Sequence, residues 1–196
     1  GPQGPIMAQA FDFDSVYFWP TWSPDGTKLA VSMVDTGGDG PRVTVEVLDL
    51  AGGRPRTIFR NEVPSLVAQG APHYLYWSPD SRHLTILAST PQGLALLLVD
   101  TEDSGSPVVL ETGAPLYLHW GAGGDRVLLH AGGAVKLVEN PGPAFSSHDL
   151  ADVGQGFRTP ALDPGGELMA YSLLEDKSSG VNTSNLLVRE VESTDC

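Results

Sequence analysis

The sequence predicts an all-β chain folded as a β-propeller of four-stranded antiparallel blades, with four repeats in its 196 residues. Three observations carry this expectation. One sequence unit recurs four times along the chain. Its anchor residues Trp22, Trp77, Trp120 and Leu162 stand 55, 43 and 42 residues apart, the length of one propeller blade. Finally, 23 glycines and 16 prolines punctuate the chain at the density that many short strands joined by tight turns require.

Each unit has the same local logic. A short strand ends at the anchor, and the Trp anchors are expected to be buried between blades. The chain then turns through Ser23-Pro24-Asp25-Gly26 in the first unit and Ser78-Pro79-Asp80-Ser81 in the second. Proline presets φ at the second turn position, aspartate bonds back to nearby backbone, and glycine accepts a positive φ. The third unit turns through Gly121-Ala122-Gly123-Gly124, and the fourth through Asp163-Pro164-Gly165-Gly166 with Leu162 in place of an aromatic anchor. A second strand follows each turn, at 29–33, 84–88, 127–130 and 169–173. Its apolar run marks a strand covered on both faces, as between stacked blades. Third strands are expected at 42–50, 95–100, 134–139 and 185–191, and the first of these alternates as Val43-Thr44-Val45-Glu46-Val47. Outer strands are expected at 56–60 and 107–110, with a weaker signal at 145–150. The blades then span 13–70, 71–113, 114–156 and 157–196.

The aromatic-Ser-Pro-Asp-Gly turn followed by a short apolar strand resembles the repeat of the TolB-like (WD40-like) β-propellers, and the resemblance covers nearly the whole chain. It is strongest where Trp22-Ser23-Pro24-Asp25 and Trp77-Ser78-Pro79-Asp80 are intact. The motif is specific for fold and poor in functional information. The resemblance implies either a periplasmic or extracellular scaffold or the propeller half of a prolyl-oligopeptidase-like peptidase.

Closure of the ring has two readings. The fourth unit supplies three strands, and a strand at 5–11 would complete its blade, closing a four-bladed ring without free edges. Alternatively the chain is half of a larger ring, either cut from a longer protein or completed as a homodimer with two-fold symmetry. The first residue is Gly1, and 1–5 reads as a cloning scar or the edge of a longer protein.

Composition narrows the partners. With 11 basic and 24 acidic residues the net charge is −13, a surface that repels phosphate backbones and anionic lipid. Neither nucleic-acid binding nor membrane insertion is expected. The longest apolar run, 94–99, is far too short to span a bilayer. Cys196 is the one cysteine, so no intrachain disulfide forms. None of His73, His83, His119, His130 and His148 stands at metal-ligand spacing, and the acidic loop at 35–40 lacks the glutamate of a calcium loop. No metal or cofactor is expected. No nucleophile elbow or phosphate loop occurs, and Ser23 and Ser78 belong to turns.

The innermost strands of a propeller line its channel. One residue before each anchor stands Thr21, Tyr76, His119 or Ala161, and three before stands Trp19, Tyr74, Tyr117 or Thr159. Alternation puts these on the face opposite the anchor. Four before stands Phe18, His73, Leu116 or Arg158. Trp19, His73, Tyr74, Tyr117, His119 and Arg158 are therefore the candidate residues for a protein or peptide partner, with inter-blade packing as their alternative role. The exposed loop at 35–42 is the rival site. The expected function is a non-catalytic scaffold; the alternative is a propeller that gates substrate access in a larger hydrolase.

Overall fold

In a computed structural model, residues 15–36, 42–52, 54–61, 72–90, 93–103, 105–154, 159–175 and 183–191 are described. Among them, four antiparallel sheets follow one another along the chain. The first is β1 (Ser15–Trp22), β2 (Lys28–Asp35), β3 (Arg42–Asp49) and β4 (Arg56–Arg60). The second is β5 (Pro72–Trp77), β6 (His83–Thr90), β7 (Gly93–Asp100) and β8 (Val108–Thr112). The third is β9 (Leu116–Trp120), β10 (Arg126–Ala131), β11 (Ala134–Glu139) and β12 (Ser146–Asp152). The fourth holds β13 (Ala161–Leu162), β14 (Leu168–Glu175) and β15 (Thr183–Glu190). Every sheet is a meander in chain order, as expected of a blade.

The turn after each anchor is built the same way despite its sequence drift. Gly26, Ser81, Gly124 and Gly166 adopt φ of 72°, 61°, 77° and 71°. Ser23, Ser78, Gly121 and Asp163 each donate a backbone N–H to the carbonyl five residues on, and accept one from the residue three on. In the first two units the serine hydroxyl donates to Asp25 or Asp80 and accepts the N–H of Lys28 or His83. In the fourth, the Asp163 carboxylate accepts the N–H of Leu168 at 2.6 Å, so one side chain replaces the serine. The third unit manages with backbone bonds alone, which is why Gly121-Ala122-Gly123 is tolerated there.

These turn carboxylates give the fold an acid-sensitive element. The Ser23 hydroxyl and the Thr27 N–H hold the Asp25 carboxyl down at about 2, against an ordinary 3.8. The Leu168 N–H likewise lowers Asp163. Desolvation opposes ionisation of Asp80, yet its bonds from Ser78 and Arg82 leave it lowered as well. A depressed folded-state pKa means stability that is present above 3.8 and lost as pH falls toward about 2. The urea midpoint is expected to drop across that window, and Asp25→Asn to flatten the drop. A wild-type midpoint constant across it would show that the turns carry no such linkage.

Three apolar clusters lie between consecutive blades. Between the first and second, Ala30, Val45 and Val47 meet Leu75, Trp77, Leu84 and Ile86. Between the second and third, Leu87, Leu96 and Leu98 meet Leu116, Val127 and Leu129. Between the third and fourth, Leu128, Val135 and Leu137 meet Leu162, Met169 and Tyr171. Polar bonds stitch the same joints. Lys28 Nζ donates to the Ser81 carbonyl at 3.1 Å, and Arg126 Nη1 to the Gly166 carbonyl at 3.0 Å. Lys136 pairs with Glu111 at 2.7 Å.

Two sequence expectations need correction here. The sheets form an open arc, and the closed four-bladed ring is not what the described residues build. The faces that would have to meet are uncovered: Trp22 is 57% exposed on the first blade, and Leu186 is 74% exposed on the last. The strand expected at 5–11 lies outside the described residues. Trp22 is accordingly no buried anchor. An anchor packs against the preceding blade, as Trp77 does at 7% exposure, and among the described residues no blade precedes the first.

Candidate functional site

The inner strands of the second and third blades enclose a cleft of about 160 Å³. β5 contributes Tyr74 and Tyr76 because its alternation sends both to the face opposite Trp77. β9 contributes Leu116, Tyr117 and Leu118. Leu87 and Leu96, buried at 3% and 2%, form the apolar floor. Thr159, in the segment before β13, closes the fourth-blade side.

The rings are held in place. Tyr74 and Tyr76 tilt against one another at 57° with centroids 5.8 Å apart. Tyr117 stacks on His130, which is 1% exposed, at 6.2 Å and 21°. Burial pushes the Tyr117 phenol above its ordinary value of 10, and Tyr74 adds to the shift. Tyr117 is therefore a neutral phenol at physiological pH. The cleft offers apolar area, aromatic faces and hydroxyl groups without charge.

Its size discriminates between ligands. Pockets for drug-sized molecules run to roughly 300–1,000 Å³. A space of about 160 Å³ suits one aromatic or aliphatic side chain projecting from a larger partner. Rigid tyrosines around a small apolar well are the composition of protein-interface anchors.

The candidate residues separate under this geometry. Tyr74 and Tyr117 come together in the cleft. His119 lies on the neighbouring joint, where its Nδ1 accepts the Leu162 N–H at 3.1 Å and ties the fourth blade to the third. Trp19 is 54% exposed at φ 55°, in the bulge between Phe18 and Thr21, and does not line the cleft. Arg158 and the His73 side chain lie outside the described residues, as do 37–41 of the rival loop. Tyr76 and Thr159 were legible from the same alternation and are additional to the candidate set.

A serine, an aspartate and a histidine also meet in the second turn, and their order is wrong for catalysis. The Ser78 hydroxyl is directed to the Asp80 carboxylate and the His83 backbone carbonyl rather than to the imidazole, and His83 Nδ1 lies 3.7 Å from Asp80. Ser78 is moreover 2% or less exposed. A nucleophile needs its base as hydrogen-bond partner and an open approach. Among the described residues no three His, Cys, Asp or Glu side chains gather as a metal site, and no helix is long and apolar enough to cross a membrane.

An arc of antiparallel meanders, three of four strands and the last of three among the described residues, packed face to face, defines a β-propeller. Comparison with solved structures makes the fold TolB-like. No sequence-defined protein family matches the chain, and no curated protein matches it. The β-propeller domain of the Trilobed protease from Pyrococcus furiosus, described as having an open velcro topology, matches at TM-score 0.61 and 10% identity, covering 91% of this chain and 55% of that one. TolB from Acinetobacter baumannii matches at TM-score 0.51 and 17% identity, covering 90% and 43%. Prolyl oligopeptidase B from Galerina marginata matches at TM-score 0.53 and 13% identity, covering 81% and 25%. The chain thus spans about half or less of the length of these proteins.

Proposed function

We propose that this chain is a non-catalytic propeller scaffold that holds a protein or peptide segment by one side chain inserted into the tyrosine cleft. The observation that carries the reading is the cleft itself: three tyrosines over an apolar floor, sized for a single side chain. The spent hydroxyls of Ser23 and Ser78 support the absence of nucleophilic chemistry.

Selection of a random displayed-peptide library on the purified chain tests it. Selected peptides are expected to carry a large apolar or aromatic residue. They are expected to lose at least about ten-fold in affinity, 1.4 kcal/mol, with Tyr74→Ala combined with Tyr117→Ala. A chain shortened at 35–42 is expected to bind as wild type. If only the shortened chain loses binding, the partner site is the loop and the cleft reading is wrong.

The match to a prolyl oligopeptidase supports a second reading, in which the arc belongs to the propeller of a larger hydrolase and gates its substrate. A Ser/His/Asp hydrolase segment in the same reading frame would select it. Under either reading the chain itself is expected not to hydrolyse peptides or esters. Turnover that survives repurification and disappears on one serine or histidine substitution would overturn both.

A further inference from the structure

At the joint between the third and fourth blades a histidine takes over a bond that a tryptophan makes elsewhere. Between the first two blades the anchor side chain is the donor, and Trp77 Nε1 reaches the Thr21 carbonyl at 3.1 Å. The fourth anchor is Leu162, whose side chain has no polar atom. His119 stands one residue before the third anchor, the place that Thr21 holds before the first. Its Nδ1 accepts the backbone N–H of Leu162 at 3.1 Å, so side chain and backbone have exchanged roles.

This bond reaches the tyrosine cleft through a short, stiff stretch of chain. β13 is two residues long and meets β14 at two positions, Ala161 opposite Ala170 and Leu162 opposite Met169. The Asp163 N–H already donates to the Leu168 carbonyl. Strand alternation therefore turns the Leu162 N–H away from β14, where His119 meets it. Three residues earlier, the exposed Thr159 lines the cleft. Pro160 follows it, buried, with φ fixed by its ring, and restricts Thr159 to extended backbone. Where the Leu162 N–H is held, Thr159 is held with it.

We infer, resting on the cleft as the binding site, that His119 is a positioning residue for it: neutral His119 holds Thr159 at the rim, and its protonation releases that segment and weakens binding. A neutral imidazole has one nitrogen that accepts and one that donates, whereas both nitrogens of the cation donate. Only the neutral ring accepts the Leu162 N–H, and protonation sets donor against donor. The charged groups on the elements around this joint are engaged elsewhere. Arg126 on β10 donates to the Gly166 carbonyl and pairs with Glu139 on β11. Asp163 accepts the Gly165 and Leu168 N–H groups, and Arg189 on β15 donates to the Leu150 carbonyl. Tyr171 on β14 is buried in the apolar cluster of the joint. Arg158 is outside the described residues. His130 on β10 is the other imidazole of this blade face, stacked on Tyr117, so the test must separate the two.

Nuclear magnetic resonance of the whole chain from about pH 8 to about pH 5, the span in which imidazoles change charge, is the test. The probe is N-acetyl-tryptophanamide, a single aromatic side chain on a neutral backbone that does not titrate there. The turn carboxylates, held below 3.8, stay ionised across the span. Without probe, the Leu162 and Thr159 amide signals are expected to move together on acidification. The probe is expected to shift the Tyr74 and Tyr76 ring signals at the higher pH and to bind about three- to ten-fold more weakly at the lower. His119→Asn keeps an acceptor oxygen at the Nδ1 position and takes no charge. It is expected to bind at both ends of the span as wild type does at the higher pH, with the amide movement gone. His119→Leu is expected to bind at both ends as wild type does at the lower pH. A pH response that persists in His119→Asn would assign it to His130 or another histidine and overturn the inference. Wild-type binding that is equal at both ends would also overturn it while the cleft reading stands. Tyrosine rings that ignore the probe at the higher pH would overturn the cleft reading, and the role of His119 with it.

Discussion

Trp77→Ala is expected to cost the chain about 3–5 kcal/mol of folding stability, the range for a large aromatic removed from a core. Trp77 is 7% exposed and lies in the cluster that joins the first two blades. Its indole Nε1 also donates to the Thr21 carbonyl across the joint at 3.1 Å. Truncation therefore removes apolar contact at the joint together with the hydrogen bond that crosses it, two losses at one site. A urea titration of wild type and variant reads the difference. A loss under about 1 kcal/mol would mean that Trp77 is not a core anchor. Trp22→Ala is the matched control on the single chain: at 57% exposure it is expected to cost less than about 1 kcal/mol.

Leu128→Ala is expected to cost about 2–5 kcal/mol, and to do so unevenly along the chain. Leu128 is fully buried, and with Val135 and Leu137 it forms the surface that receives Leu162, Met169 and Tyr171. The fourth blade rests on this one joint among the described residues. Where repeats touch only their neighbours, stability is close to a sum of repeat and joint terms. Loss at the last joint should therefore release the last blade first. Amide hydrogen exchange in β14 and β15 is expected to accelerate, while β6 and β7 keep their protection. Equal acceleration in β6 and β14 would show that the arc opens as one unit.

The repeat was legible because its determinants are local. The turn bonds of Ser23, Ser78, Gly121 and Asp163 all close within five residues, so a short motif suffices to encode them. Positive φ at Gly26, Gly124 and Gly166 was readable from residue type. Ser81 at φ 61° was not, because what holds it is its place in the joint, where its Oγ accepts the Asp25 N–H and its carbonyl accepts Lys28. The outer strand at 56–60 was placed to the residue, and the weak signal at 145–150 is β12, at Ser146–Asp152. Its polar run Ser146-Ser147-His148-Asp149 carries little apolar period because it is an edge strand with an exposed face.

The candidate site was only partly legible. Alternation gathered Tyr74, Tyr76 and Tyr117 correctly on one face of their strands. It could not tell that His119, on that same face, would be consumed by the Leu162 N–H. That bond depends on where the next blade's backbone passes, which is a property of the packed arc.

The sequence by itself determined the all-β class, the four units, their turns and nearly every strand, since strand and turn chemistry acts over a few residues. Only the tertiary structure decided which faces those strands bury. Trp22 and Trp77 occupy the same place in the same motif, yet one is 57% and the other 7% exposed. The difference is the presence of a preceding blade, because hydrophobic burial is set by what stands opposite a side chain and not by the side chain's own neighbours in sequence.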